Sequence, residues 1–198
     1  MTDTESDRVS GHDWQKVDQF VALAHFWSEC RAKHGGQFVS RNDIKPHTIR
    51  DFLHWTFIAD SMGHEELTVR LSAAAIDEAI NNNLTNTNMF DLYEPELKPM
   101  FWRFVAPILA GDLGGYASRI LVGKWDQQIQ YQSICLPLRN RDGAQNAMLG
   151  AVHWTPMEQE MARRLGKTDE TPENFGRITS ITHLTLDTFE PVPFDVEA

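Results

Sequence analysis

The chain has 198 residues, enough for one domain with a substantial core and too few for two ordinary ones. With 41% hydrophobic and 23% charged residues it reads as globular, and no apolar run approaches the length of a membrane span. A formal charge of -10 opposes a nucleic-acid partner, since phosphate neutralisation relies on clustered Lys and Arg, and Arg139, Arg141, Arg163 and Arg164 form only a thin cluster.

Residues 1–12 are polar and acidic without the apolar stretch of a secretory signal, so a disordered lead and a cytoplasmic address are the expectations. From Asp13 the apolar residues Trp14, Val17, Phe20, Val21, Ala24, Trp27 and Cys30 recur at three- and four-residue spacing. That predicts an amphipathic helix over 13–34, ended by Gly35 and Gly36. Ser40 caps a short second helix with Asp43 at its third position. Leu53 to Ser61 and Leu67 to Leu71 alternate in polarity and predict two adjacent strands. Short helical pieces follow around Ile76 and Asp91. The apolar set Leu97, Met100, Phe101, Phe104, Val105, Ile108 and Leu109 then gives a longer helix, whose last turn Pro107 should kink or fray.

Tyr116 to Gly123 reads as a strand. The stretch from Gln128 to Trp154 reads as two long alternating strands joined at Arg141-Asp142-Gly143. Thr155-Pro156-Met157-Glu158 has the form of a capping box with proline at the first helical position, so a helix is expected there, ending near Gly166. Ile178 to Phe189 alternates as a sixth strand or an extended arm, within a C-terminal extension spanning 155–198. Strands grouped in this way form an antiparallel sheet with helices packed on one face, an α+β protein.

Two strands, a helical middle and three strands, preceded by an amphipathic helix, is the element order of a PAS domain. The wording is also similar to stand-alone bacterial PAS proteins over about Val17 to Trp154. It lies in Phe26-Trp27, Ser40-Arg41-Asn42-Asp43-Ile44-Lys45-Pro46, the strand holding Arg70, Leu92-Tyr93, Leu136-Pro137-Leu138, Asp142-Gly143 and Leu149-Gly150-Ala151-Val152. The resemblance implies a five-stranded antiparallel sheet over 35–154 and a non-catalytic sensory or regulatory role exercised through protein contacts. With no attached effector, it implies a partner signalling protein such as a histidine kinase. Two departures bear on any internal pocket. Glycines expected after the second-strand arginine and after Leu84-Thr85 are replaced by Ala73-Ala74-Ala75 and by Asn86.

The leading apolar stripe must be buried, either on its own sheet or against a second chain. In PAS proteins such a helix commonly pairs with its counterpart, so Trp14, Val17, Phe20, Val21, Ala24 and Trp27 are candidates for a homodimer interface. Arg70 interrupts an apolar strand between Val69 and Leu71 and could anchor an anionic ligand between sheet and helices. The bland alternative places Thr68, Arg70 and Ser72 on a solvent face.

Other chemistry is thinly supported. The eight histidines are scattered, without HExxH or a pair on one helical face, and so predict no metal or haem. Cys30 and Cys135 fall in different elements, lack CxxC spacing and read as buried thiols, so neither fits flavin photochemistry on a middle helix. Ser133, His153 and Asp126 lack a nucleophile elbow. Gly111, Gly114 and Gly115 do not form a phosphate cradle. No cofactor is therefore expected, and an unknown small molecule remains open. Two rival classes stand beside the sensor: a small α+β enzyme with a cone-shaped cavity, which would gather Asp60, His64 and His153 in one pocket, and a ligand-free interaction domain with a filled core.

Overall fold

A computed structural model describes residues 13–122, 127–157 and 177–194. A 3-10 turn at Asp13–Lys16 leads into α1, Asp18–Lys33. Phe20, Leu23, Ala24, Trp27 and Cys30 are its buried residues, a single stripe at three- and four-residue spacing. Leu23 thus belongs to the stripe, whereas Val21 lies outside it and is 40% exposed. Ser40 accepts from the Asn42 amide while Asp43 accepts from the Ser40 amide, closing the capping box of the 3-10 turn Arg41–Asp43.

The first strand starts later than its polarity suggested. Leu53–Trp55 forms a 3-10 turn, and β1 runs over Thr56–Gly63 before pairing with β2, Glu66–Ser72. Helix α2, Ala74–Ile80, and two 3-10 turns lead to α3, Lys98–Ala110, which continues through Pro107 and ends at Gly111 in the left-handed conformation. Then come β3, Gly114–Val122, and the long hairpin of β4, Gln128–Arg139, and β5, Gln145–Pro156. Asn140 and Ala144 close its turn, with Gly143 at φ 90.

The sheet has seven strands rather than five, in the order β2-β1-β5-β4-β3-β6-β7. β6, Arg177–Leu184, pairs antiparallel with β3, and the two-residue β7, Pro191–Val192, pairs with β6. A five-strand sheet would have left β3 as a free edge, and the alternating segment after Arg177 occupies it. The expected helix after Thr155 is not initiated at that residue: Thr155 and Pro156 belong to β5, paired with Gln130 and Ile129. The rest of that helix and the expected lead at 1–12 lie outside the described residues.

Period-2 alternation divides the sheet into two apolar faces. Phe57, Ala59, Val69, Ala117, Cys135, Met148 and Val152 pack with α2 and α3. Ile58, Tyr116, Ile134, Leu136, Leu149 and Ala151 pack with α1 and the aromatic residues Trp14, Phe52 and Phe189. The leading stripe is therefore covered by the chain's own sheet. Of the candidate dimer residues, Trp14, Val17, Phe20, Ala24 and Trp27 are buried inside the monomer, which corrects their assignment to an exposed interface.

Candidate functional site

The space between the sheet and helices α2 and α3 is nearly filled. About 30 Å³ remains, lined by Phe57, Val69, Ile76, Phe101, Phe104, Arg119, Tyr131, Ser133, Cys135 and Met148 among others. That volume holds a water or two, since one water needs roughly 10–15 Å³. Two glycines make the closure possible. A Cβ on Gly150 would meet the Phe57 ring at 2.2 Å, and one on Gly115 would meet Ile108 and Phe104 at 2.6 Å. The departures from the family pattern are also absorbed locally. Ala73 precedes α2 in an extended conformation, and Asn86 adopts φ 69, the left-handed region that asparagine tolerates better than most residues.

One charged side chain enters this interior. Arg119 projects from β3 on the face of Ala117 and Leu121, is 4% exposed, and donates through Nη1 to the Tyr93 hydroxyl at 2.8 Å. Tyr93 stacks on Phe101 with ring centroids 4.2 Å apart, so a helical-side aromatic fixes the guanidinium. Burial raises the pKa values of Tyr93 and Tyr131, and the nearby Arg119 charge opposes that rise in both. Burial also pushes the Cys135 thiol up to about 12, which keeps it protonated and unreactive. Arg119 was missed in the sequence although it carried the same signal as Arg70, a lone charge in an apolar strand.

Arg70 lies elsewhere. Leu67 and Val69 are its buried strand neighbours, and Arg70 itself is exposed and donates through Nε to Asp60 at 3.3 Å. Between Ile58 and Ala59 the partner register jumps from Leu71 to Val69, leaving Arg70 at a β-bulge. The bulge also breaks the expected alternation, because Ser72 turns to α2 and donates to Asp77 at 2.6 Å. Arg70 therefore does not line the sheet–helix space, and neither simple strand parity described it.

Asp60, His64 and His153 do not converge. Asp60 is held by Arg41 at 2.8 and 3.0 Å and by Arg70, so its carboxylate is committed to an ion cluster. His64 is exposed and lies against Trp102 at 4.5 Å. His153 meets Gln19 of α1 at 2.8 Å, and burial lowers its pKa. Asp60 pairs with Ala147, placing His153 six residues further along β5, about 20 Å away at strand rise. Ser133 lines the interior while His153 faces α1, so the sheet separates the imagined serine and histidine; Asp126 lies outside the described residues. Among the described residues, no group of three His, Cys, Asp or Glu side chains could hold a metal ion, and no helix is long and apolar enough to cross a membrane.

Beside α1 lies a larger concavity, an open groove of about 670 Å³ lined by Trp14, Val21, Ala24, Ala32 and Phe189 together with the polar Gln15, His25, Ser28 and Glu29. Trp27, on the buried stripe, ties the helix to the sheet by donating its indole N–H to the Pro137 carbonyl at 2.8 Å.

Through its first five strands the antiparallel sheet runs in the order 2-1-5-4-3, with helices between the second and third strands, and this layout defines the class of α+β domain. The family described as PAS domain matches residues 15–153, and the chain belongs to that family. The comparison with curated proteins gave no match. PAS domains are sensory and regulatory modules and are generally non-catalytic.

Proposed function

We propose that this PAS protein is a non-catalytic regulator in bacterial signal transduction, acting in the cytoplasm through protein contacts on a partner signalling protein such as a histidine kinase. The contrast between its two concavities carries the reading. The sheet–helix interior, where a cofactor would sit, retains about 30 Å³, while an open groove of about 670 Å³ borders α1. A flavin or haem does not fit the first, and a protein segment fits the second.

The occupant of that groove is a second copy of the chain. Asp18 lies in the first turn of α1 and Lys33 in the last, so an antiparallel copy sets opposite charges against each other, the self-complementarity a two-fold interface requires. Val21, rather than the buried stripe, supplies its exposed apolar contact.

Native mass spectrometry and sedimentation of the full chain test both parts. The expected result is a dimer without bound cofactor that becomes monomeric on Val21→Glu. A co-purifying flavin or haem would overturn the contact reading, and a monomeric wild type would overturn the dimer.

A further inference from the structure

Two side chains tie α1 to carbonyls of the central hairpin, each past the point where a neighbouring strand has ended. Trp27 holds Pro137, beyond the last β3–β4 pairing of Gly115 with Cys135. Gln19 holds Val152, beyond the last β1–β5 pairing of Thr56 with Ala151, by donating Nε2 to the carbonyl at 3.3 Å. From Gln19 to Trp27 is about 12 Å along the helix at ~1.5 Å per residue, so the ties hold its two halves separately.

Of the two ties, the one at Gln19 includes a titratable group. The same Nε2 lies 2.8 Å from Nδ1 of His153. An amide nitrogen only donates, so Nδ1 accepts and the proton of the neutral ring sits on its Nε2. Turning the Gln19 amide over would set its oxygen against the Val152 carbonyl, and this second acceptor fixes the orientation. A proton on Nδ1 therefore brings two donors face to face, and relief requires Gln19 to leave both acceptors.

The surroundings do not accommodate the charge. Among the described residues, the charged or titratable groups flanking this contact are Lys16 and Asp18 at the start of α1 and His54 in the turn before β1, each exposed to water. β4 presents the uncharged Gln132, which pairs with His153 and donates to the Tyr116 hydroxyl of β3 at 2.7 Å. The perpendicular Phe20 ring is centred 6.5 Å away, outside the roughly 6 Å reach of a cation–π contact. Burial lowers the His153 pKa, and none of these groups offsets it.

We propose that the Gln19–His153 contact is an acid-sensitive latch: protonation of His153 frees the first half of α1 from the sheet while the Trp27 tie holds the second. Trp14 and Val21 wall the groove at the freed end, so its shape changes with the latch. Only this consequence for contacts rests on the contact-signalling reading above.

The ¹⁵N-labelled full chain is titrated from about pH 8 to about pH 5, with histidine ring nitrogens read by long-range NMR correlation and protection factors by hydrogen exchange. At the upper end His153 is expected as the Nε2–H tautomer. Below the ordinary histidine value, protection of the Phe20 to Ala24 amides should fall by at most about tenfold per pH unit, the slope of one proton, while the Trp27 indole N–H stays protected. His153→Gln should abolish the fall and His54→Gln should leave it unchanged. An Nδ1–H tautomer in the wild type, loss of Trp27 protection in step with the amides, or the same profile in His153→Gln would overturn the proposal. The tautomer is read in the wild type, so the test survives misfolding of a variant. Both readouts serve for a monomer or a dimer, so failure of the latch leaves the contact reading intact.

Discussion

Replacing Trp27 with phenylalanine tests how α1 is held to the sheet. The Arg139 amide donates to the Val39 carbonyl, so by strand alternation the Pro137 carbonyl points to the same side. There β3 has already ended, since its last pairing with β4 is Gly115 with Cys135. Proline fits this position because no ladder partner needs its missing N–H, and its carbonyl is satisfied by the Trp27 indole at 2.8 Å. Phenylalanine keeps much of the apolar volume but strands that buried carbonyl, which costs about 1–3 kcal/mol. The space left by the smaller ring adds about 1 kcal/mol at ~24 cal/mol per Å³. Together these give about 2–4 kcal/mol. With a urea m-value of about 3 kcal/mol/M, the unfolding midpoint should fall by roughly 0.7–1.3 M at unchanged m. A fall below about 0.3 M would refute the role assigned to the indole hydrogen bond.

Gly150→Ala should destabilise by about 1–3 kcal/mol or more in thermal unfolding, because the new Cβ meets both the Phe57 ring and, at 2.8 Å, the rigid Ile134 carbonyl. His153 is held neutral by burial, so the unfolded chain binds its proton first as pH falls. Stability is thus full above the ordinary histidine value of 6.5 and declines from there toward the lowered folded value, a slope that His153→Gln should flatten in urea titrations across that window. Cys30 and Cys135 are both buried with raised pKa values, so neither should react with a thiol reagent at pH 8 until urea unfolds the protein.

Regular burial made much of the fold legible. The α1 stripe, the β4–β5 hairpin with its Asp142-Gly143 turn and the Ser40 cap each follow from local period or local hydrogen bonding, and each is present. Position along α1 was less secure at single residues: Val21 and Leu23 are equally apolar, and only the sheet decides which one is covered. The β-bulge at Arg70 left no local mark, because an extra residue in one strand is defined by its partner's register. Arg119 was legible in principle, but assigning it to the interior required knowing that Ala117 and Leu121 face α3. Thr155-Pro156 shows a local signal overridden by pairing, since the ladder to Gln130 and Ile129 extends β5 through a sequence suited to a helix start.

Both faces of the central hairpin are packed, and this constrains how a disturbance can travel. Cys135, Met148 and Val152 contact the helical side, while Ile134, Leu136, Leu149 and Ala151 lie under α1. The close seats of Phe57 over Gly150 and of Phe104 over Gly115 leave no slack between helices and strands. A shift of either ring must therefore displace the strand it rests on, because close-packed interiors transmit strain rather than absorb it. The opposite face of the hairpin carries α1, tied to it by the Trp27 indole on the Pro137 carbonyl, so the packing of α1 and of α3 is coupled through the same strands.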